Sequence, residues 1–295
     1  MQINSPTLTS QNFNTATPTV ADRKETVAIL GCGVLGRLIV QGLQTSDMRQ
    51  AYEVRATQRT PERAAELTRT LKVESFTNNG QACEDATIVV LAVRPQAMAD
   101  LLKEISPSLK PGTHCVTIAA GLPLRFYEEL LPPSVTIIRA HPSPMMAVRR
   151  GTIALSIGTR SGGSAGVEKT RRLFSTLCDN TLLIPERDLN MFATIFGSSS
   201  ALLYRFIGAV LSAEGCQGER EFSQMGVLAS MLEGAAQMLI HSGKSPLELS
   251  DEICTPHGMT AAGVAVWERE EVSHSITLAM EAVIARVAEL SRNIQ

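Results

Sequence analysis

Three glycines spaced as Gly31-Cys-Gly-Val-Leu-Gly36 follow the apolar run Glu25-Thr-Val-Ala-Ile-Leu30 and open a segment of helical periodicity, Val34 to Gln44. Each glycine meets a separate requirement of diphosphate binding. Gly31 allows the tight turn, Gly33 lets phosphates approach the backbone, and Gly36 lets the helix pack on the strand. A helix beginning there turns unpaired N–H groups and the positive end of its dipole towards an anion. The segment predicts a dinucleotide site.

A second strand, Val54 to Thr57, ends where an NAD-binding chain usually presents a carboxylate to the ribose hydroxyls. Here Gln58-Arg59-Thr60 comes instead. A guanidinium and a hydroxyl suit the 2′-phosphate of NADP, and no carboxylate repels it. The plainer reading of Arg59 is a solvated surface arginine. NADPH is the expected cofactor, with NADH the weaker alternative.

These residues need a sheet edge to hold them. Thr87-Ile-Val-Val-Leu-Ala-Val93 is a third apolar strand, stopped by Arg94-Pro95. His114 to Ala119, Thr136 to Arg139 and Thr152 to Ile157 come next as further strands, and Pro61 to Leu71 reads as a helix with proline in its first turn. Strands alternating with helices predict a Rossmann-type doubly wound α/β domain over residues 25–184. From about Asp188 the apolar spacing is helical throughout, with breaks near Gly215–Gly218, Gly243–Pro246 and Pro256–Gly258. Residues 185–295 are therefore expected to form an all-α domain. Ser161-Gly-Gly-Ser-Ala-Gly166 reads as a loop. Residues 1–24, polar and without an apolar stretch, read as a disordered tail rather than a secretory or transit peptide.

The composition narrows the function classes. The 295 residues are 44% hydrophobic, enough for a full core, and carry a formal net charge of -2, which gives no basic field for nucleic acid. Six cysteines are scattered without a pair at metal-ligand spacing, so free thiols in a reducing compartment, the cytoplasm, are expected, and no metal. No apolar run approaches the ~18 residues that span a bilayer, so no membrane partner is expected. Met225–Leu239 and Ile276–Leu290 are apolar over more of their circumference than a monomer can cover, which predicts a homodimer, with a higher oligomer as the alternative.

Several blocks together carry a family resemblance. Gly31–Gly36, Arg59-Thr-Pro-Glu62, Leu91-Ala-Val-Arg-Pro-Gln96, Ile118-Ala-Ala-Gly-Leu-Pro123 and Thr255-Pro-His-Gly-Met-Thr260 resemble pyrroline-5-carboxylate reductase in order and spacing, from about Thr26 to Leu290. The resemblance implies NADPH-dependent reduction of a small cyclic imino acid, 1-pyrroline-5-carboxylate, to L-proline. It also implies a helical dimerisation domain that completes each active site at the dimer. Its implied cofactor contacts are Leu30, Gly31, Cys32, Gly33, Val34, Leu35, Thr60, Asn79, Ala92, Val93, Arg94, Pro95, Ile118, Ala119 and Ala120. Asn79 reads equally well as a turn residue beside Gly80. Thr260 is the implied partner of the ring nitrogen and the catalytic candidate, and Gly258 and Met259 belong to the same carboxylate-binding turn. Glu186 and Glu252 fall at family positions near the substrate, yet each reads equally as a solvated face residue.

A protonated imine already carries the charge that hydride neutralises, so oriented hydroxyl and backbone contacts suffice without a strong acid. Accordingly Gly197-Ser-Ser-Ser-Ala-Leu-Leu-Tyr-Arg-Phe206 contains no lysine, unlike the catalytic helix of 3-hydroxyacid dehydrogenases. The match departs from the family at three places. Gly197 to Leu203 replaces Ser-Gly-Ser-Gly-Pro-Ala-Tyr, keeping Ser199 as the middle hydroxyl and placing Tyr204 one residue late, about 100° round an ideal helix. His141-Pro-Ser-Pro-Met145 replaces Met-Pro-Asn-Thr-Pro, so Ser143 stands for an amide beside the nicotinamide. His257 replaces a glycine. His141 and His257 lack partners at ligand spacing and read as pocket-lining or surface histidines. These departures keep two alternatives open: a diverged reductase of another cyclic imine, and an NADP-binding protein without catalysis.

Overall fold

The computed structural model describes residues 24–45, 48–159, 164–175, 177–213 and 221–292. The expected tail, apart from Lys24, and the break at Gly215–Gly218 lie outside the described residues.

Among the described residues one sheet is formed by β1 (Glu25–Leu30), β2 (Tyr52–Thr57), β3 (Glu74–Phe76), β4 (Ile88–Leu91), β5 (His114–Thr117), β6 (Thr136–Pro142), β7 (Thr152–Ile157) and β8 (Asn180–Leu183). Their order is β3-β2-β1-β4-β5-β6-β7-β8. Every neighbouring pair is parallel except β6 with β7. β1 reads as a continuous apolar run because both faces of the sheet are covered. Val27 and Ile29 point into one layer with Ile39, Val40, Leu43, Leu173 and Phe174, while Ala28 and Leu30 point into the other with Met98, Leu102, Ile105 and Tyr127.

The connecting helices are α1 (Val34–Leu43), α2 (Met48–Ala51), α3 (Pro61–Leu71), α4 (Asn79–Cys83), α5 (Met98–Ile105), α6 (Leu124–Leu130) and α7 (Ser164–Ser175). α3 begins as its sequence dictates, with Thr60 as N-cap accepting from the Arg63 N–H and Pro61 in the first turn. The expected loop Ser161–Gly166 is corrected in part. Residues 161–163 lie outside the described set, but Ser164 already begins α7.

After β8 the chain is helical. α8 (Glu186–Phe192), a π-turn at Ala193–Ser198 and α9 (Ser199–Leu211) run on as one rod, succeeded by α10 (Glu221–His241), α11 (Pro246–Ile253), α12 (Met259–Arg269) and α13 (Val272–Arg292). Leu189 and Phe192 anchor α8 on Ala154 of β7. Beyond that anchor α9 buries no residue, and Phe206, Val227, Met231, Ile240 and Ile284 stand in solvent in the single chain. By length and composition Glu186–Leu211 could cross a membrane, which corrects the expectation that no run approached that length.

Candidate active site

β1 and β4 are neighbours although β2 and β3 lie between them in sequence, so the chain diverges to either side of this pair. The crevice at their carboxyl ends is the place where doubly wound sheets bind ligands. Gly31 opens it with φ +78°, and a Cβ there would stand 2.5 Å from Val93 Cγ1 on the loop after β4. Glycine is thus required by the backbone and by the neighbouring loop. Gly33 differs. A Cβ there would meet nothing within 4 Å, and the residue is exposed. As N-cap of α1 Gly33 provides no side-chain cap, and the first turn carries no acid. The N–H groups of Val34, Leu35 and Gly36 therefore lie at a helix start equipped for an anion.

The end of β2 fastens this loop. The Gly31 N–H donates to Thr57 Oγ1 at 2.9 Å and the Cys32 N–H to the Thr57 carbonyl at 3.0 Å. Gln58 Nε2 donates to the Cys32 carbonyl at 2.6 Å. Arg59 comes immediately after in sequence and is exposed, and Thr60 caps α3 behind it. The Cys32 side chain points into the core, where burial pushes its thiol up to about 11, so it is no nucleophile.

Three further loops reach the same carboxyl edge. Ala92 to Pro95 leaves β4, with Arg94 exposed and Pro95 starting a short 3-10 turn. Ile118 to Ala120 leaves β5, and the Ala119 N–H donates to Thr117 Oγ1 at 3.3 Å, itself 2.7 Å from the hydroxyl of Tyr127. Burial pushes that phenol up to about 12. Ser143 leaves β6, buried, and its hydroxyl caps the turn Pro144–Val148 by accepting from the Met145 N–H at 3.2 Å.

The helical rod crosses this edge at its π-turn. His141 at the end of β6 packs edge-on to Phe192, and its Nε2 would lie 2.9 Å from a Cβ at Gly197. Burial, and then Arg139, lower the His141 pKa to about 4. The Ser199 hydroxyl bonds back to the Ile195 carbonyl and that of Ser200 to the Gly197 carbonyl at 2.8 Å. Tyr204 has its hydroxyl 3.8 Å from Met145 Sδ on the loop after β6.

Glu186 is engaged within the chain. Its Oε1 accepts from the Leu124 N–H at 2.6 Å, capping α6, and from Arg139 Nη1 at 2.8 Å. Arg139 is 4% exposed and also donates to Asn190 Oδ1 at 2.9 Å. Glu252 pairs with Lys244 on the surface. Gly258 is N-cap of α12, again without a side-chain cap, and Met259 and Thr260 open the helix in solvent. His257 before them holds φ +59°, a left-handed conformation unusual for a side-chain-bearing residue. The structure thus gathers the glycine loop and the loops after β4, β5 and β6, while Gly258, Met259 and Thr260 stand apart on an open helix end.

Comparisons with known proteins bear on both halves. Residues 26–121 match the family described as NADP oxidoreductase coenzyme F420-dependent, and residues 186–290 match pyrroline-5-carboxylate reductase dimerisation. The chain is 29% identical to pyrroline-5-carboxylate reductase of Corynebacterium melassecola over 271 residues, 91% of this chain and 99% of that one. It is 30% identical to pyrroline-5-carboxylate reductase 3 of Danio rerio over 216 residues, 72% of this chain and 73% of the other. The chain belongs to the pyrroline-5-carboxylate reductase family. Its fold is shared by a Plasmodium falciparum pyrroline carboxylate reductase solved with NADP bound, at TM-score 0.79 and 20% identity, over 90% of this chain and 98% of that one.

Within this pyrroline-5-carboxylate reductase family member, Thr57 and Arg139 belong to no motif that marks them in the sequence. Thr57 carried the signal of being the last residue of a strand facing the glycine loop. Arg139 carried that of a charge inside an apolar strand, which demands a buried partner.

Proposed function

We propose that the chain reduces 1-pyrroline-5-carboxylate to L-proline with NADPH. The observation that carries this is the uncapped, acid-free start of α1 at the β1–β4 crevice, in a chain that aligns with pyrroline-5-carboxylate reductases along nearly its whole length. NADPH bound there supplies a hydride to the imine carbon.

The chain's own residues orient and shield. Gly31 to Gly36 hold the diphosphate, Arg59 and Thr60 face the 2′-phosphate, and the loops at Ala92–Pro95, Ile118–Ala120 and Ser143 border the nicotinamide end. The backbone of Gly258 and Met259 at the start of α12 receives the substrate carboxylate, and the Thr260 hydroxyl hydrogen-bonds the ring nitrogen. The π electrons of the protonated C=N bond pass to that nitrogen as the new C–H bond forms, so no negative charge builds up and no protein acid has to offset it.

The open helix end at Gly258–Thr260 and the exposed apolar faces of α9, α10 and α13 fit a homodimer that brings α12 of one subunit over the sheet edge of the other. A second subunit, rather than a bilayer, then covers Glu186–Leu211. The free cysteines among the described residues fit a reducing compartment, the cytoplasm.

The test is NADPH consumption by purified protein with 1-pyrroline-5-carboxylate as the varied substrate. Consumption with L-proline as product is expected, and its absence at high protein concentration refutes the proposal. A second reading, reduction of another cyclic imine, is favoured by one observation: His257 occupies a left-handed position in the carboxylate turn and adds a side chain there. A panel of five- and six-membered cyclic imines separates the two by kcat/KM.

A further inference from the structure

Behind the glycine loop runs a chain of hydrogen bonds whose direction is fixed from one end. Glu104 on α5 accepts from the backbone N–H of Asn79 at 3.0 Å and from Asn79 Nδ2 at 2.9 Å. A carboxylate only accepts, so the amide must turn its Nδ2 to Glu104 and its Oδ1 the other way. There Oδ1 accepts from the Thr57 hydroxyl at 2.7 Å. With its proton committed to Asn79, Thr57 Oγ1 has lone pairs for the Gly31 N–H at 2.9 Å. Thr57 is 2% exposed, so no water competes for that hydroxyl.

We propose that Glu104 is a positioning residue for the dinucleotide, acting through Asn79 and Thr57 to hold Gly31 and hence the start of α1. The inference rests on the dinucleotide reading above. It gives Asn79 a role behind the loop, as the link that passes orientation from the exposed Glu104 carboxylate through the buried Thr57 to Gly31. Without Glu104 the Asn79 amide is free to flip, the Thr57 hydroxyl to rotate, and the loop to sample geometries in which its N–H groups diverge from the phosphates.

The variants are Glu104→Ala, Thr57→Val and Thr57→Ser, assayed by NADPH titration, by steady-state kinetics and by thermal melting. Glu104→Ala should raise Kd and KM for NADPH about fivefold, with kcat and the KM for the imine within about twofold of the parent. Thr57→Val should show a larger change in the same direction, and Thr57→Ser, which keeps the hydroxyl, should stay near the parent. Unchanged NADPH affinity in Glu104→Ala overturns the proposal, as does a change matched in kcat or in the imine KM. Because Glu104 is exposed, its variant does not depend on whether Thr57→Val folds. A parent that binds NADPH normally while Glu104→Ala binds it equally well refutes the relay alone. A parent that binds no NADPH refutes the dinucleotide reading and the relay with it.

Discussion

The ring of His141 lies directly against the backbone of Gly197, leaving 2.9 Å between Nε2 and the place a Cβ would occupy. This contact joins the last strand of the parallel sheet to the π-turn from which the helical rod departs. His141 is held neutral at that joint, its pKa lowered to about 4 first by burial and then by Arg139. In the unfolded chain it titrates near its ordinary 6.5. As pH falls from 6.5 towards 4 the unfolded state takes up a proton that the folded state does not, so stability is full above 6.5 and declines through this window. The contribution of His141 between pH 7 and pH 5 is about 2 kcal/mol. Urea unfolding of the parent and of His141→Gln at both pH values checks this. The variant should lose less stability on acidification, and equal losses would show that His141 is not the group responsible.

Gly31 and Gly33 should fail in different ways. Gly31→Ala forces a side chain into a left-handed conformation against Val93 and should destabilise the protein by on the order of 3 kcal/mol. Gly33→Ala meets open space, so it should melt with the parent while weakening NADPH by roughly tenfold or more. Calorimetry alongside NADPH titration separates the two. Gly33→Ala with normal NADPH affinity would show that the phosphates do not pass this residue.

The proposed role of Arg59 at the 2′-phosphate distinguishes the two nicotinamide cofactors. Arg59→Ala should weaken NADPH about tenfold and NADH less than about twofold, because only NADPH carries the 2′-phosphate. Equal effects on both would return Arg59 to the solvated surface.

Glu186 stands between two roles, and stability distinguishes them. Glu186→Gln keeps the cap on Leu124 but leaves the buried Arg139 with a neutral partner. The protein should lose about 2 kcal/mol, less than for a fully buried pair because Glu186 is about one-third open to solvent. Urea titration measures the loss. A tenfold rise in the imine KM without loss of stability would instead place this carboxylate on the substrate.

Much of the site was legible because its signals are local. The run Glu25–Leu30 and the glycines after it specify strand, turn and helix start within a dozen residues, and β1 and α1 form at those positions. The Thr60–Pro61 start of α3 is equally local. The edge strands β3 and β8 were not legible, since Glu74-Ser-Phe76 and Asn180–Leu183 are too short for a period to show. The π-turn was not legible either, because no residue type specifies it. It emerges where Thr194, Ser199 and Ser200 bond back to helix carbonyls beneath His141. The contact of Tyr204 with Met145 joins residues 59 positions apart and was not legible either. The partners of Asn79 and Glu186 lie 25 and 47 residues away, on other elements, and only the folded chain brings them together.

Hydride transfer to the imine carbon is tested most directly by isotope. The protein is incubated with 1-pyrroline-5-carboxylate and NADPH deuterated at the transferring position, and the product is examined by mass spectrometry. L-Proline carrying one deuterium, on the ring carbon next to nitrogen, is the predicted result. Unlabelled proline, or no proline while the labelled cofactor remains intact, would contradict it.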